Sequence, residues 1–182
     1  LTGIIYDSRR FYSLNANLLQ LLSRMFELNV NYNFAVQLIQ KKYDLSERVA
    51  RIKSASRLKL HKMVGWLIIH SNIGSHESSS ARALLDLGAD VAFIYSTREN
   101  ETRFNARATQ DFFLATEVHL GKDLMVLLGE EYGGEGGGHS TAAALNIPKL
   151  VPEEQLVKRT LALLQKRLRN KKQAENVNEE AN

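Results

Sequence analysis

The chain has 182 residues, 44% of them hydrophobic and 24% charged, with a formal net charge of +4. This is the make-up of a globular chain long enough for one domain and an appendage. Its longest apolar stretch, 63–69, is seven residues, where a membrane-spanning helix needs about 20. It has no cysteine, which excludes disulfides, thiolate nucleophiles and Cys-ligated metal sites. A reducing compartment, the cytoplasm, with no membrane association, is the expected setting.

In chain order, Thr2-Gly3-Ile4-Ile5-Tyr6 reads as a β-run ending at Asp7, with no polar lead-in before it. A lone strand has few partners, so the expectation is a strand remnant of a larger sheet, in a chain that is itself a fragment. The segment 15–28 repeats apolar residues at helical spacing, and 33–40 continues as a shorter helix. Asp44 and Ser46 offer N-caps for a long amphipathic helix carrying Leu45, Val49, Ile52, Leu60 and Met63. The segment 45–62 holds six basic residues and one acidic, and 152–172 holds seven and two, so most of the positive charge sits on two predicted helices. Those are two solvated helix faces, or a field that gathers phosphates.

From Val64 the pattern changes. Val64–His70 reads as a buried strand, 75–87 as a helix ended by Gly88, and Val91–Tyr95 as a second strand. Thr102–Ala108 is its hairpin return. A helix covering at least 123–128 follows, and the glycine run 133–138 is expected to be a loop. Pro152 opens a terminal helix with Val157, Leu161, Leu164 and Leu168 on one face. The predicted fold class is α/β, a mixed sheet flanked by helices over 62–172. Before it come a strand remnant with two helices, 1–43, and a linker helix, 44–61; a disordered tail, 173–182, follows.

Three segments carry chemistry. Gly136, Gly137, Gly138 and His139 make either an anion-binding concavity, with the imidazole beside it, or a flexible loop. Neither a G-x-G-x-x-G nor a G-x-x-x-x-G-K-[ST] motif is present, so a dinucleotide or nucleoside triphosphate fold is not indicated. Arg103, Asn105 and Arg107 alternate along one strand and share a face, as two guanidinium forks suited to phosphate or as a solvated edge. Asp7, where a run meets a loop, is a metal ligand or a cap.

Thr2-Gly3-Ile4-Ile5-Tyr6-Asp7-Ser8-Arg9-Arg10-Phe11 resembles the last metal motif of the DHH phosphoesterases, T-G-I-x-x-D-[ST]-x-x-F. Gly136–His139 with Ala142 and Ala143 resembles the G-G-G-H-x-x-A-A signature of that family's associated carboxy-terminal domain. Phe104–Ala108 is similar to its S-x-R-S substrate strand, and 75–84 to the helix after its first strand. Together the resemblance spans about residues 1–148. It implies the carboxy-terminal half of a manganese- or magnesium-dependent phosphoesterase, of the group that includes RecJ-like exonucleases, oligoribonucleases, adenosine bisphosphate phosphatases and cyclic-dinucleotide phosphodiesterases.

Carried over residue by residue, the resemblance makes Asp7 a metal ligand and Asn105, Arg107 and Gly136–His139 substrate contacts. Arg103, Arg82 and Ser75 are secondary candidates. The partners it implies are a nucleotide or short single-stranded nucleic acid, a missing amino-terminal DHH domain and a possible second copy of the chain. The remaining metal motifs are absent, so the fragment is expected to be inactive and to bind no metal by itself. Glu135 stands where the family has glycine, and it is expected to point away from a phosphate. The alternative is a non-catalytic nucleic-acid-binding module, like the similar domain of alanyl-tRNA synthetases, or an oligomerisation module.

Overall fold

The computed structural model describes residues 1–8, 11–40 and 42–180. The chain divides into two compact units, Leu1–Tyr43 and Asp44–Asn182.

The first unit is helical, with α1 at Thr2–Asp7, α2 at Ala16–Glu27 and α3 at Tyr32–Ile39. The β-run expected at 2–6 is therefore a helix. Among the described residues this unit holds no strand to pair with it, and an unpaired strand leaves its backbone groups without partners. The helical turn closes them locally, from Ile5 N to Leu1 O and from Ser8 N to Ile4 O, both at 2.9 Å. It also buries Ile5. Arg9 and Arg10 of the motif lie outside the described residues. Asparagines start the other two helices: Asn15 and Asn31 accept from Leu18 N and Phe34 N, each at 2.9 Å, satisfying donors that the first turn leaves free.

The second unit is built on a six-stranded mixed sheet in the order β1-β2-β3-β4-β6-β5. Its strands are β1 Lys59–Met63, β2 Trp66–Asn72, β3 Val91–Arg98, β4 Glu101–Ala108, β5 Glu135–Gly138 and β6 Ala142–Ile147. The helices are α4 Leu45–Ser56, α5 Glu77–Asp86, α6 Gln110–Thr116, α7 Val126–Tyr132 and α8 Glu153–Glu180, and a π-helical turn at Leu120–Met125 leads into α7. Asp44 caps α4, accepting from Glu47 N at 2.7 Å.

Three expectations change here. The linker helix stops at Ser56, and Lys59–Met63 folds back as an edge strand on β2. The turn between them is Val64-Gly65, with φ of 50° and 86°; two positive φ values match the twist of a tight hairpin. Valine is an unusual residue there, which hides the turn from a reading by residue type. The glycine run is likewise a strand, β5, not a loop. Finally, α8 continues past Gln173, where disorder was expected, because no Gly or Pro interrupts 153–180; residues 181–182 lie outside the described part.

The two sheet faces are filled differently. One carries Ile68, Val91, Phe93, Phe104, Ala106, Ala143 and Leu145 into the main core, with Leu124, Leu128, Leu156 and Leu164 of the turn and helices above it. Phe93 and Phe104 stack there, centroids 5.5 Å apart. The other face holds a smaller core, in which Ala50 of α4 and Ala81 and Leu84 of α5 cover Ile69, Ala92 and Ile94 of β2 and β3. α5 extends over β4 as well, so the part of this face left open is at β6 and β5.

On the main-core side a cavity of about 630 Å³ opens between β1, β2 and the start of α8, lined by His61, His70, Met63, Val157 and Leu161 among others. His61 Nε2 and His70 Nδ1 share a hydrogen bond at 2.8 Å. Burial, then His61, then Lys59 push the His70 imidazole down to about 4. Glu153 lies 3.9 Å from its far nitrogen, beyond hydrogen-bond reach; Glu154 and Lys158 also line the cavity. Because the folded state resists protonation that the unfolded chain accepts near 6.5, stability is full above that pH and is lost as pH falls towards 4. The loss is expected to be on the order of 1–2 kcal/mol once solvent screening in an open cleft is allowed for. Urea unfolding followed by fluorescence of Trp66, the single tryptophan, checks it: His70→Gln should flatten this pH dependence.

Candidate functional site

The predicted residues meet on β4, between α5 and the open β6–β5 part of the second face. On β4 every second side chain is buried in the main core, which leaves Arg103, Asn105 and Arg107 half-buried on the opposite face. The register then defines the row beside each. Arg107 pairs with Ala142, Asn105 with Ala144 and Arg103 with Asn146. One strand further on, Ala144 pairs with Gly137 and Asn146 with Glu135. The small residues Ala142, Ala144 and Gly137 leave a shallow floor beside the polar row of β4, and α5 forms the wall on the other side.

Arg107 Nη2 donates to Ser78 Oγ of α5 at 2.8 Å. No carboxylate pairs with it among the described residues. Burial first, and the Arg82 guanidinium second, lower its affinity for its proton, so a second cation lies near it with no carboxylate paired to either among the described residues. A site of this kind favours an anion, because the guanidinium forks match carboxylate or phosphate oxygens. Next along α5, Glu77 accepts from Ser96 Oγ at 2.7 Å, which fixes the start of the helix over β3.

Arg103 is placed differently. It pairs with Glu101 at 3.5 Å and, with Asn105, Glu135 and Asn146, lines a cavity of about 270 Å³. Glu135 therefore shares the ligand-facing side, which corrects the expectation that it points away: at period 2, Glu135 and Gly137 must face the same way.

The glycines divide between two roles. Gly137 lies on the open face with free space around it. Gly136 and Gly138 turn the other way, where a Cβ on Gly136 would meet the Met125 carbonyl and one on Gly138 the backbone of Ala142 and Ala143. A Cβ on Gly121 would likewise meet Gly138. The π-helical turn thus lies directly against β5, and the run is glycine in part because of that close approach. His139 follows β5 as an exposed residue, its N–H donating to Ala142 O at 2.8 Å, and this places it one step beyond the Arg107–Ala142 row.

Ser75 is exposed in the loop before α5, and no side-chain bond joins it to the row among the described residues; Arg82 is exposed on α5. Ser78, Asn146 and Glu135 were missed as site residues. The period-2 continuation of β6 from Ala142 through Ala144 points to Asn146, but nothing local singles out Ser78 within its serine-rich stretch.

Asp7 ends α1, exposed, in the other unit. Among the described residues no group of three or more His, Asp or Glu is placed to hold a metal ion. The donors among the described residues do not fit the two-metal centre that the resemblance implies. No helix of the described residues is long and apolar enough to cross a membrane.

No family profile matches the chain. It is 34% identical over 169 residues to an uncharacterized protein of Methanocaldococcus jannaschii, a match covering 92% of this chain and 51% of that protein. The chain therefore spans about half the length of the curated relative it matches. Among solved structures, an exopolyphosphatase-related protein from Bacteroides fragilis is similar over 93% of this chain and 49% of its own, with a TM-score of 0.58 and 16% identity. The two share a fold. It agrees with the one that the DHH resemblance implied. A DHH domain, described as that of a member of a family of ribosomal proteins, matches 66% of this chain and 30% of its own at 12% identity and a TM-score of 0.48.

Proposed function

We propose that this chain is the substrate-binding part of a DHH-type phosphoesterase that hydrolyses phosphate esters of nucleotides or short single-stranded nucleic acid. The observation that carries the reading is Arg107: a half-buried guanidinium between α5 and the open β6–β5 part of the sheet, unpaired with any carboxylate among the described residues, beside a floor of Ala142, Ala144 and Gly137. On this reading Arg107, with Arg82 near it, holds a phosphate, and Asn105 supplies an amide to the group next to it. Gly137 lets the ligand approach the backbone, and His139 borders the phosphate end. Their chemical role is to bind and orient, which lowers the entropic part of the barrier.

The manganese or magnesium of the intact protein would supply the attacking hydroxide, with Asp7 as one ligand and the other ligands outside the described residues. Exposed apolar residues on α2 and α3, among them Leu19, Leu21, Phe26, Phe34 and Leu38, suit packing against further protein, consistent with a longer chain. A cytoplasmic setting accompanies this reading.

Calorimetric titration of the chain with a short 5′-phosphorylated oligonucleotide tests it, alongside an assay of the same mixture with manganese. Salt-sensitive binding without turnover is expected. Absence of binding at millimolar oligonucleotide, or a robust manganese-dependent rate, would sink it.

A further inference from the structure

The proposed binding face carries charge of both signs, and its unpaired cation, Arg107, and its unpaired carboxylate, Glu135, stand at different ends among the described residues. From Arg107 to Arg103 is four residues along β4, about 14 Å of extended chain. At the first end stand Arg107, Ser78 and Arg82. At the other, the register row Arg103–Asn146–Glu135 crosses three strands, and these side chains line the 270 Å³ cavity with Asn105. Arg103 is already occupied by Glu101. Glu135 has no hydrogen-bond or ion-pair partner among the described residues, and it is exposed at the rim. A carboxylate only accepts hydrogen bonds. It repels a phosphate and favours a group that brings its own O–H or N–H.

Resting on the reading that Arg107 holds a phosphate, we propose that Glu135 makes the far end of this groove a donor-recognising end. The ligand is then a nucleotide with one phosphate terminus and, at its other end, hydroxyl or amine donors. A run of phosphates is rejected. The donors that meet this description are the ribose 2′,3′-hydroxyls and the exocyclic amine of a base. Asn105 and Asn146 beside Glu135 both donate and accept, so they complete either set of bonds. Glu135 thereby separates nucleotides from inorganic polyphosphate, a distinction that the cationic end cannot make, since it sees a phosphate in both.

Calorimetry on the whole chain at fixed ionic strength tests this with adenosine 5′-monophosphate, its 2′,3′-dideoxy analogue, inosine 5′-monophosphate and tripolyphosphate. The proteins are wild type, Glu135→Gln and Arg107→Ala. Glu135→Gln is expected to lower the preference for adenosine monophosphate over tripolyphosphate about ten-fold, the worth of one charge-assisted hydrogen bond. Weaker binding of the dideoxy analogue to wild type assigns the donor to the ribose, and weaker binding of inosine monophosphate assigns it to the base amine. The proposal is overturned if both analogues bind as well as adenosine monophosphate, or if Glu135→Gln leaves the preference unchanged while Arg107→Ala abolishes binding. If instead Arg107→Ala binds as wild type does, or wild type binds none of the four, the phosphate reading fails and this one with it.

Discussion

Gly136→Ala is expected to destabilise the second unit by about 3 kcal/mol or more. The added methyl would fall on the carbonyl of Met125, and neither side can yield cheaply. Met125 is fully buried at the end of the π-helical turn, with Leu120, Leu124 and Leu128 locked into the core around it. On the other side, Gly136 is held by pairing with Leu145, itself in the core. Gly137→Ala, one residue on, has nothing within 4 Å of its new methyl and should leave stability within about 1 kcal/mol of wild type, any gain coming from a less flexible unfolded chain. Urea unfolding read by Trp66, which packs edge-on to Phe112 at 5.1 Å, measures both. Equal costs at the two positions would contradict the division of the run into a packing side and a ligand side. The pair also separates two reasons for a glycine: Gly136 for fold, Gly137 for access to the groove.

Arg107→Ala should weaken binding of a short 5′-phosphorylated oligonucleotide by about 10- to 100-fold, the range for charge-assisted hydrogen bonds from one guanidinium. It should also lower the slope of log affinity against log salt by about one. Stability should move little, because the side-chain bond lost is the one to Ser78 Oγ, and removing Arg107 also relieves its repulsion with Arg82. Arg107→Lys keeps the charge without the fork and is expected to recover part of the affinity but not all of it. If the alanine variant keeps both wild-type affinity and wild-type salt slope, the phosphate contact is elsewhere.

Much of this site was legible in residue order alone. Arg103, Asn105 and Arg107 fall at period 2 in a run bounded by the turn before Glu101, and that spacing by itself puts them on one face. The hairpin partner starting at Val91, the helical spacing of 15–28 and the terminal helix after Pro152 follow from equally local chemistry. The likeness of 136–143 to a known signature is legible in the same way. What residue order did not reveal was the work those glycines do. Their need for close approach arises from the π-helical turn, which lies well before them in the chain, and from β6, which follows.

The amino-acid sequence by itself determined which residues of β4 alternate, where α4 and α8 begin, and that no cysteine or long apolar helix takes part. Only the tertiary structure decided that 2–7 is helical, that 59–63 closes the sheet edge, and that Glu135 lies on the binding face. It also decided that the β6–β5 part of this face is open, because α4 and α5 pack chiefly over β2, β3 and β4. These outcomes depend on partners distant in sequence. A strand exists only if another chain segment takes up its hydrogen bonds, and a polar row becomes a site only where the neighbouring helix leaves one side of it open.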